Sequence, residues 1–292
     1  METSRRGLVQ GIASVTAIPM GASLAANPAV AASLPHDRFK WTSEYLDYDP
    51  LTNFRQTMRL QRSLHDEDDI LHWYHFIMVA VVPGKAPRPI VRWEGIELSR
   101  HRKIGEDLYR MHGHNLSFPR DLESLEFVDE VLNPITGEMV RPGIMALTED
   151  PGIIYSPKGI ITLDNPNGKY RMKYSKIRRE GHIVKIDGMR VPPAEWPATF
   201  LEMGYEQTPA QLFDDPAQLW LPTDVSGAYV FPYPKWMKMG DRPGHMFAAW
   251  SGYKLRSVEQ LPSDFLARAN DERPDLLHVD LTQFDRPFTP PD

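Results

Sequence analysis

Proline sets the first limit on this chain. Its 27 prolines are spread along 292 residues. Each one removes a backbone donor and clashes with the helical turn before it. Long helices are therefore expected to be few, and short strands joined by turns are favoured. The strand signal follows. "ILHWYHFIMVAVV" (70–82) is rich in β-branched and aromatic residues and reads as a central strand buried on both faces. "IVRWEGIELSRHR" and "EDLYRMHGHNLSF" read as two more, and Phe54, Met58, Leu60 and Leu64 in "FRQTMRLQRSL" have the even spacing of another. "HDEDD" (65–69) is a polar turn, and Asn133-Pro134 with Thr136-Gly137 punctuates a hairpin. Further turns are expected at Ser156-Pro157, Asn165–Gly168 and Asp187-Gly188. Two short helices are expected, at 208–214 and 261–272. The second should be the longest, with Ser263 as its N-cap. The expected fold is mainly β: a single-domain antiparallel β-barrel or barrel-like sandwich with a few short helices.

Apolar residues make up 41% of the chain, enough for a sizeable core. Net charge is −6, and no run of five Lys or Arg occurs, which argues against nucleic acid as a partner. No apolar run is long enough to span a membrane as a helix. With no cysteine there are no disulfides, thiolate metal sites or cysteine nucleophiles.

The first residues read as an export signal. Arg5-Arg6-Gly7-Leu8 leads into an uncharged stretch, and Ala29-Val30-Ala31 has the small-x-small form of a cleavage site. The paired arginines resemble a twin-arginine signal. The expectation is a signal over 1–31, one β-rich domain over 32–292, and a periplasmic location.

Nucleotide-binding glycine motifs, the P-loop, HExxH and GxSxG are all missing from the sequence. No organic cofactor is therefore expected. His112 and His114 share a face if their segment is extended and are weak candidates for metal ligands, with no third ligand fixed by spacing. Otherwise no metal is expected. The richest stretch is "FPYPKWMKMGDRPGHMFAAWSGYKL" (231–255). Arg242-Pro243-Gly244-His245 fits a type II turn, with "KWMKM" and "HMFAAWSGYKL" as its paired strands. Such a hairpin would gather Lys238, Asp241, Arg242 and His245 beside Trp236, Trp250 and Tyr253. This is either the mouth of a small-molecule pocket or a hairpin whose aromatics fill the core.

"WMKMGDRPGHMFAAWSGYKL" followed by "LPSDFLARANDERP" resembles a bacterial family catalogued as domain of unknown function 1838. "VLNPITGEMV" (131–140) and "RSLHDEDDILHWYHF" resemble other segments of that family, and the likeness spans roughly residues 45–280. The resemblance implies a fold unit and agrees with export; it implies no activity.

From the residues alone, the reading leans to an enzyme without an organic cofactor, acting on a bulky aromatic molecule. A lyase that cleaves a carbon–carbon bond and releases a small aldehyde is the sharpest form of it. His75 or Lys238 would be the base, and Arg242 would hold an anionic oxygen. Trp73, Tyr74, Tyr109, Trp236, Asp241 and Tyr253 would bind substrate in one cavity. The alternatives are a non-catalytic binding protein for an apolar ligand and a metal-dependent oxygenase or hydrolase. The expected partner is a small aromatic or apolar molecule, and homo-oligomer formation is left open.

Overall fold

The computed structural model describes residues 42–148, 152–162, 175–190, 201–285 and 287. The expected signal (1–31), the turn at 165–168 and the last residues of the tail lie outside the described residues. In chain order the elements are β1 (Ser43–Leu46), α1 (Pro50–Gln61), β2 (Asp69–Val81), β3 (Arg88–Gly105), β4 (Leu108–Arg120), β5 (Val131–Asn133) and β6 (Glu138–Val140). There follow β7 (Met145–Thr148), β8 (Ile153–Ser156), β9 (Gly159–Thr162), β10 (Ile177–Glu180), β11 (Ile183–Arg190) and β12 (Leu201–Pro209). The chain continues through α2 (Ala210–Asp214), β13 (Asp224–Phe231), β14 (His245–Leu255) and α3 (Ser263–Glu272).

The fold is mainly β, as expected. Twelve strands form one antiparallel sheet in the order β1-β10-β11-β12-β13-β14-β2-β3-β4-β8-β9, with β7 also on β4. β5 and β6 form the expected hairpin apart from it. Two meanders, one from each half of the chain, join where β14 pairs with β2. β2 is therefore central, as its apolar sequence demands. No pairing between the described strands joins β1 to β9, so the sheet does not close into a barrel.

The sheet curls nevertheless. Phe54 and Met58 of α1 pack on Tyr109, Met111, Tyr155 and Ile160 of β4, β8 and β9. Leu60 of the same helix packs on Ile177, Val184 and Ile186 of β10 and β11. In a flat sheet β9 and β10 would stand roughly 43 Å apart, so one helix can touch both only if the sheet wraps around it. The wrapped, inner face is filled at one end by α1. At the other end it is filled by the β5–β6 hairpin and Met237 and Met239, packed on Phe76, Met78, Trp93 and Met246. The outer face of β2–β4 is covered by Phe265 and Ala269 of α3 on Leu98, Leu116 and Phe118.

Five local expectations are corrected. Residues 54–61 are helix, not strand: Asp49 accepts from the Leu51 and Thr52 amides, each at 3.0 Å, and Pro50 sits in the first turn. This start signal lies upstream of the stretch whose spacing suggested a strand. With 12 residues α1 is also longer than α3, which has 10. Pro262, not Ser263, precedes α3 as its cap residue. Asp187-Gly188 lies inside β11, paired with Tyr205 and Gly204. Finally, "KWMKM" is not a strand but contains a 3-10 turn, Lys235–Met237, and β14 pairs instead with β13 and β2. Gly244 keeps its φ of 128°, where a Cβ would collide with the Val81 carbonyl and the Tyr233 hydroxyl.

Candidate functional site

Strand alternation divides the residues expected to form one site. Trp73, His75 and Tyr253 stand on the outer face. Trp73 and Tyr253 are direct cross-strand partners with rings stacked at 6.0 Å. Trp73 Nε1 donates to Glu94 at 2.7 Å, and Glu94 also pairs with Arg120, which reaches Asp264 of α3 at 2.6 Å. This network fastens α3 to the sheet. His75 Nε2 lies 3.0 Å from Ser251 Oγ, and burial lowers its pKa, helped by nearby Arg92.

Trp236, Lys238, Asp241 and Arg242 lie between β13 and β14, beyond the far end of β14. Trp236 packs against the hairpin core. Lys238 is 3.7 Å from Glu138, both exposed, and Arg242 donates to the Met239 carbonyl of its own turn at 3.0 Å. His245 pairs with Val81 while Tyr253 pairs with Trp73. Eight register positions, roughly 26 Å of strand, separate the two groups, so the expected cavity shared by Lys238, Arg242, Trp73, Trp236 and Tyr253 is not formed. Tyr109 is buried in the α1 core beside Phe54. His112 and His114 share the outer face, as spacing implied. His112 is edge-on to Phe284, and His114 Nε2 is 2.6 Å from the Leu276 carbonyl. Among the described residues no three metal-binding side chains come together.

Of the expected residues, Tyr74 alone belongs to a different constellation, on the inner face between the two apolar ends. Three registered rows build it. Gly188, Gly204, Gly227 and Trp250 form the first. Glu206, Val225, Gly252, Tyr74 and Gly95 form the second. Lys254, His72 and Glu97 form the third, with Arg62 at the end of α1 paired to Glu97. Trp250 stacks on Tyr229 with ring centres 5.8 Å apart. Tyr74 Oη is 3.0 Å from Ser117 Oγ, and burial pushes its pKa up.

The charges here are placed against strong desolvation. Glu206 takes one hydrogen bond, from Gln61 at 2.9 Å, while its Oε2 is buried with no hydrogen-bond partner among the described residues. Burial raises its pKa to about 6, against the attraction of Arg62 and Lys254. Burial holds His72 down at about 3 and pushes Lys254 well below the usual range. Lys254 Nζ donates to the carbonyls of Arg59, Leu60 and Arg62. His72 Nδ1 and Trp250 Nε1 are, like Glu206 Oε2, buried without a partner among the described residues. Unpaired buried polar atoms are costly, and these three stand on the inner face among charged groups, between its two apolar ends.

An open depression of about 390 Å³ on β11 and β12 is lined by Ser175, Asp187, Gly188, Met189, Met203 and Tyr205. It holds one carboxylate and no partner base, so it offers less chemistry than the inner face.

Glu206, Lys254, Glu97, Arg62 and the glycine row escaped the sequence reading. One signal was present: "GYEQ" (204–207) and "GYKL" (252–255) both set a glycine two residues from a charge, with a tyrosine between. On a strand that pattern puts glycine and charge on one face and tyrosine on the other. Comparison of the chain with family models and with curated proteins finds no match to either.

Proposed function

We propose that the inner face of the curled sheet is the site of an acid–base enzyme for a small aromatic molecule, working without an organic cofactor. The observation that carries the reading is Glu206 Oε2, buried and without a hydrogen-bond partner among the described residues, beside the aromatic pair Trp250 and Tyr229. A carboxyl with a pKa of about 6 can take and return a proton near neutrality.

The reaction class proposed is carbon–carbon cleavage of a β-hydroxy carbonyl compound. Glu206 takes the hydroxyl proton, the new C=O forms as the adjacent C–C bond breaks, and the electron pair passes to the enolate of the second product. Protonation of that enolate carbon, by the carboxylic acid just formed, completes the balance and restores the carboxylate. A conversion of 3-hydroxypropiophenone to acetophenone and formaldehyde tests it. Glu206→Gln should abolish formaldehyde release while the protein stays folded; release at the wild-type rate would sink the assignment.

A specific observation favours a second reading, a non-catalytic binding protein. Lys254 spends its donors on three carbonyls and Arg62 is engaged with Glu97, so both cations are committed before any oxyanion forms. Saturable aromatic binding with no turnover of any β-hydroxy aryl ketone would select this reading. The resemblance to the family of domain of unknown function 1838, and export through Arg5-Arg6, belong to the same proposal. Export is tested by replacing both arginines with lysine, which should leave the precursor in the cytoplasm.

A further inference from the structure

Gly188, Gly204 and Gly227 pair side by side across β11, β12 and β13 on the inner face. Glycine weakens a strand interior and is kept there for a bend, a bulge or the close approach of another group. None of the three has a positive φ, and their pairing runs in register without a bulge. Gly227 has a reason within the protein: a Cβ there would meet Trp250 Cζ2 at 2.5 Å. The other two do not. A Cβ at Gly204 would rest 3.7 Å from Trp250, an ordinary contact, and at Gly188 it would meet nothing within 4 Å among the described residues.

Polar atoms border this bare floor. Trp250 Nε1 and Glu206 Oε2 are buried without a partner among the described residues, Glu206 lying two residues from Gly204 on the same face. His72, 8% exposed and with Nδ1 likewise unpaired, stands on the same face but three strands from Gly204, outside this floor.

We propose that Gly188 and Gly204 form the floor of a subsite for a planar aromatic ring bearing a hydroxyl or carbonyl oxygen. The ring lies flat on the two glycines at the edge of the Trp250–Tyr229 stack, and its oxygen sits between the Trp250 N–H and the Glu206 carboxyl. A flat ring lies directly on bare backbone where a side chain would hold it away, and an aromatic ring, unlike a saturated one, also contacts the Trp250–Tyr229 stack through its π face or edge. This deepens the reading of the inner face as a ligand site and rests on it.

The test measures binding of 2-naphthol by tryptophan fluorescence and by melting temperature, with decahydro-2-naphthol as the saturated control. The wild type should bind 2-naphthol and discriminate against the control. Gly204→Ala should weaken 2-naphthol binding roughly tenfold or more with its own melting temperature unchanged or raised. Gly188→Ala should act in the same direction and serves as the second variant should Gly204→Ala fold poorly. Failure of the wild type to bind 2-naphthol, equal binding of both compounds, or wild-type affinity in folded alanine variants overturns the proposal. Unchanged 2-naphthol affinity in these variants, with formaldehyde release still dependent on Glu206, removes the floor and leaves the acid–base reading. Weakened binding with no release by the wild type does the reverse.

Discussion

Lys254 Nζ, on β14, donates to the Leu60 carbonyl of α1 at 2.6 Å and to the Arg59 and Arg62 carbonyls at 2.9 Å. The last carbonyls of a helix lack partners within it and carry its negative end. A cation from the centre of the sheet satisfies three of them together, with the Trp220 ring 4.9 Å away. Because α1 also touches both ends of the sheet, this clamp holds the helix around which the sheet curls.

Lys254→Ala should therefore destabilise the protein by about 1 to 3 kcal/mol: the Arg62 carbonyl loses its donor, while the Arg59 carbonyl keeps the Leu221 amide and the Leu60 carbonyl keeps the Thr223 hydroxyl. Chemical denaturation gives the number directly. A midpoint equal to that of the wild type would show that the clamp adds nothing to stability.

Glu206 makes stability depend on pH in a defined direction. Its folded pKa, about 6, lies above the ordinary value of 4.5. Between these values the folded state holds more proton than the unfolded chain, so this group's contribution is fully present below pH 4.5 and is lost as pH rises through 6. The span corresponds to about 2 kcal/mol at most. Glu206→Gln should flatten that part of the stability profile. An unaltered profile would mean the carboxyl is not held near 6.

His101 works in the opposite sense. It is 0% exposed, edge-on to Tyr109 and Tyr155, and neither ring nitrogen has a hydrogen-bond partner among the described residues. Burial keeps its pKa well below 6.5. The unfolded chain therefore binds a proton that the folded protein refuses, and stability falls as pH drops below about 6.5. His101→Phe preserves the ring and removes the unpaired nitrogens. It should raise stability by about 1 to 3 kcal/mol and reduce the loss on acidification. A variant less stable than the wild type at pH 5 would show that the nitrogens do find partners.

The fold class was legible because β2, β3 and β4 carry their strand character in composition, independent of what they pack on. Helix α1 was not, because Phe54, Met58 and Leu60 fit either period in a short window and the deciding Asp49-Pro50 start lies outside it. The turn expected at Arg242–His245 lies instead at Met239–Arg242, where the Arg242 amide donates to the Met239 carbonyl at 3.3 Å, and the partners of β14 were not legible either: β14 reaches back to β2, a pairing fixed by tertiary packing. The site was missed for a related reason. The expected cations Lys238 and Arg242 share one stretch, whereas Glu206, Lys254 and Glu97 come from three strands and share a face only through register. Sequence proximity gathered Trp236, Lys238 and Arg242, which the sheet leaves at its rim.

Those rim residues give the last prediction. Among the described residues Arg242 donates only within its own turn, to Met239 O. Arg242→Ala should leave both melting temperature and 2-naphthol affinity unchanged. Asn133, nearby in space, should behave otherwise. It is 0% exposed, its Nδ2 donates to the Met237 carbonyl at 2.8 Å, and its Oδ1 accepts from the Ile135 amide at 2.9 Å. One side chain thus shapes the β5–β6 turn and ties it to the segment that plugs the far end of the inner face. Asn133→Ala takes the donor from the buried Met237 carbonyl and the acceptor from the half-buried Ile135 amide, a loss of about 1 to 3 kcal/mol. Thermal denaturation of the two variants side by side checks both halves. A stable Asn133→Ala protein would mean the plug is held by Met237 and Met239 packing alone, and an Arg242→Ala protein with weakened 2-naphthol binding would return the rim to the site.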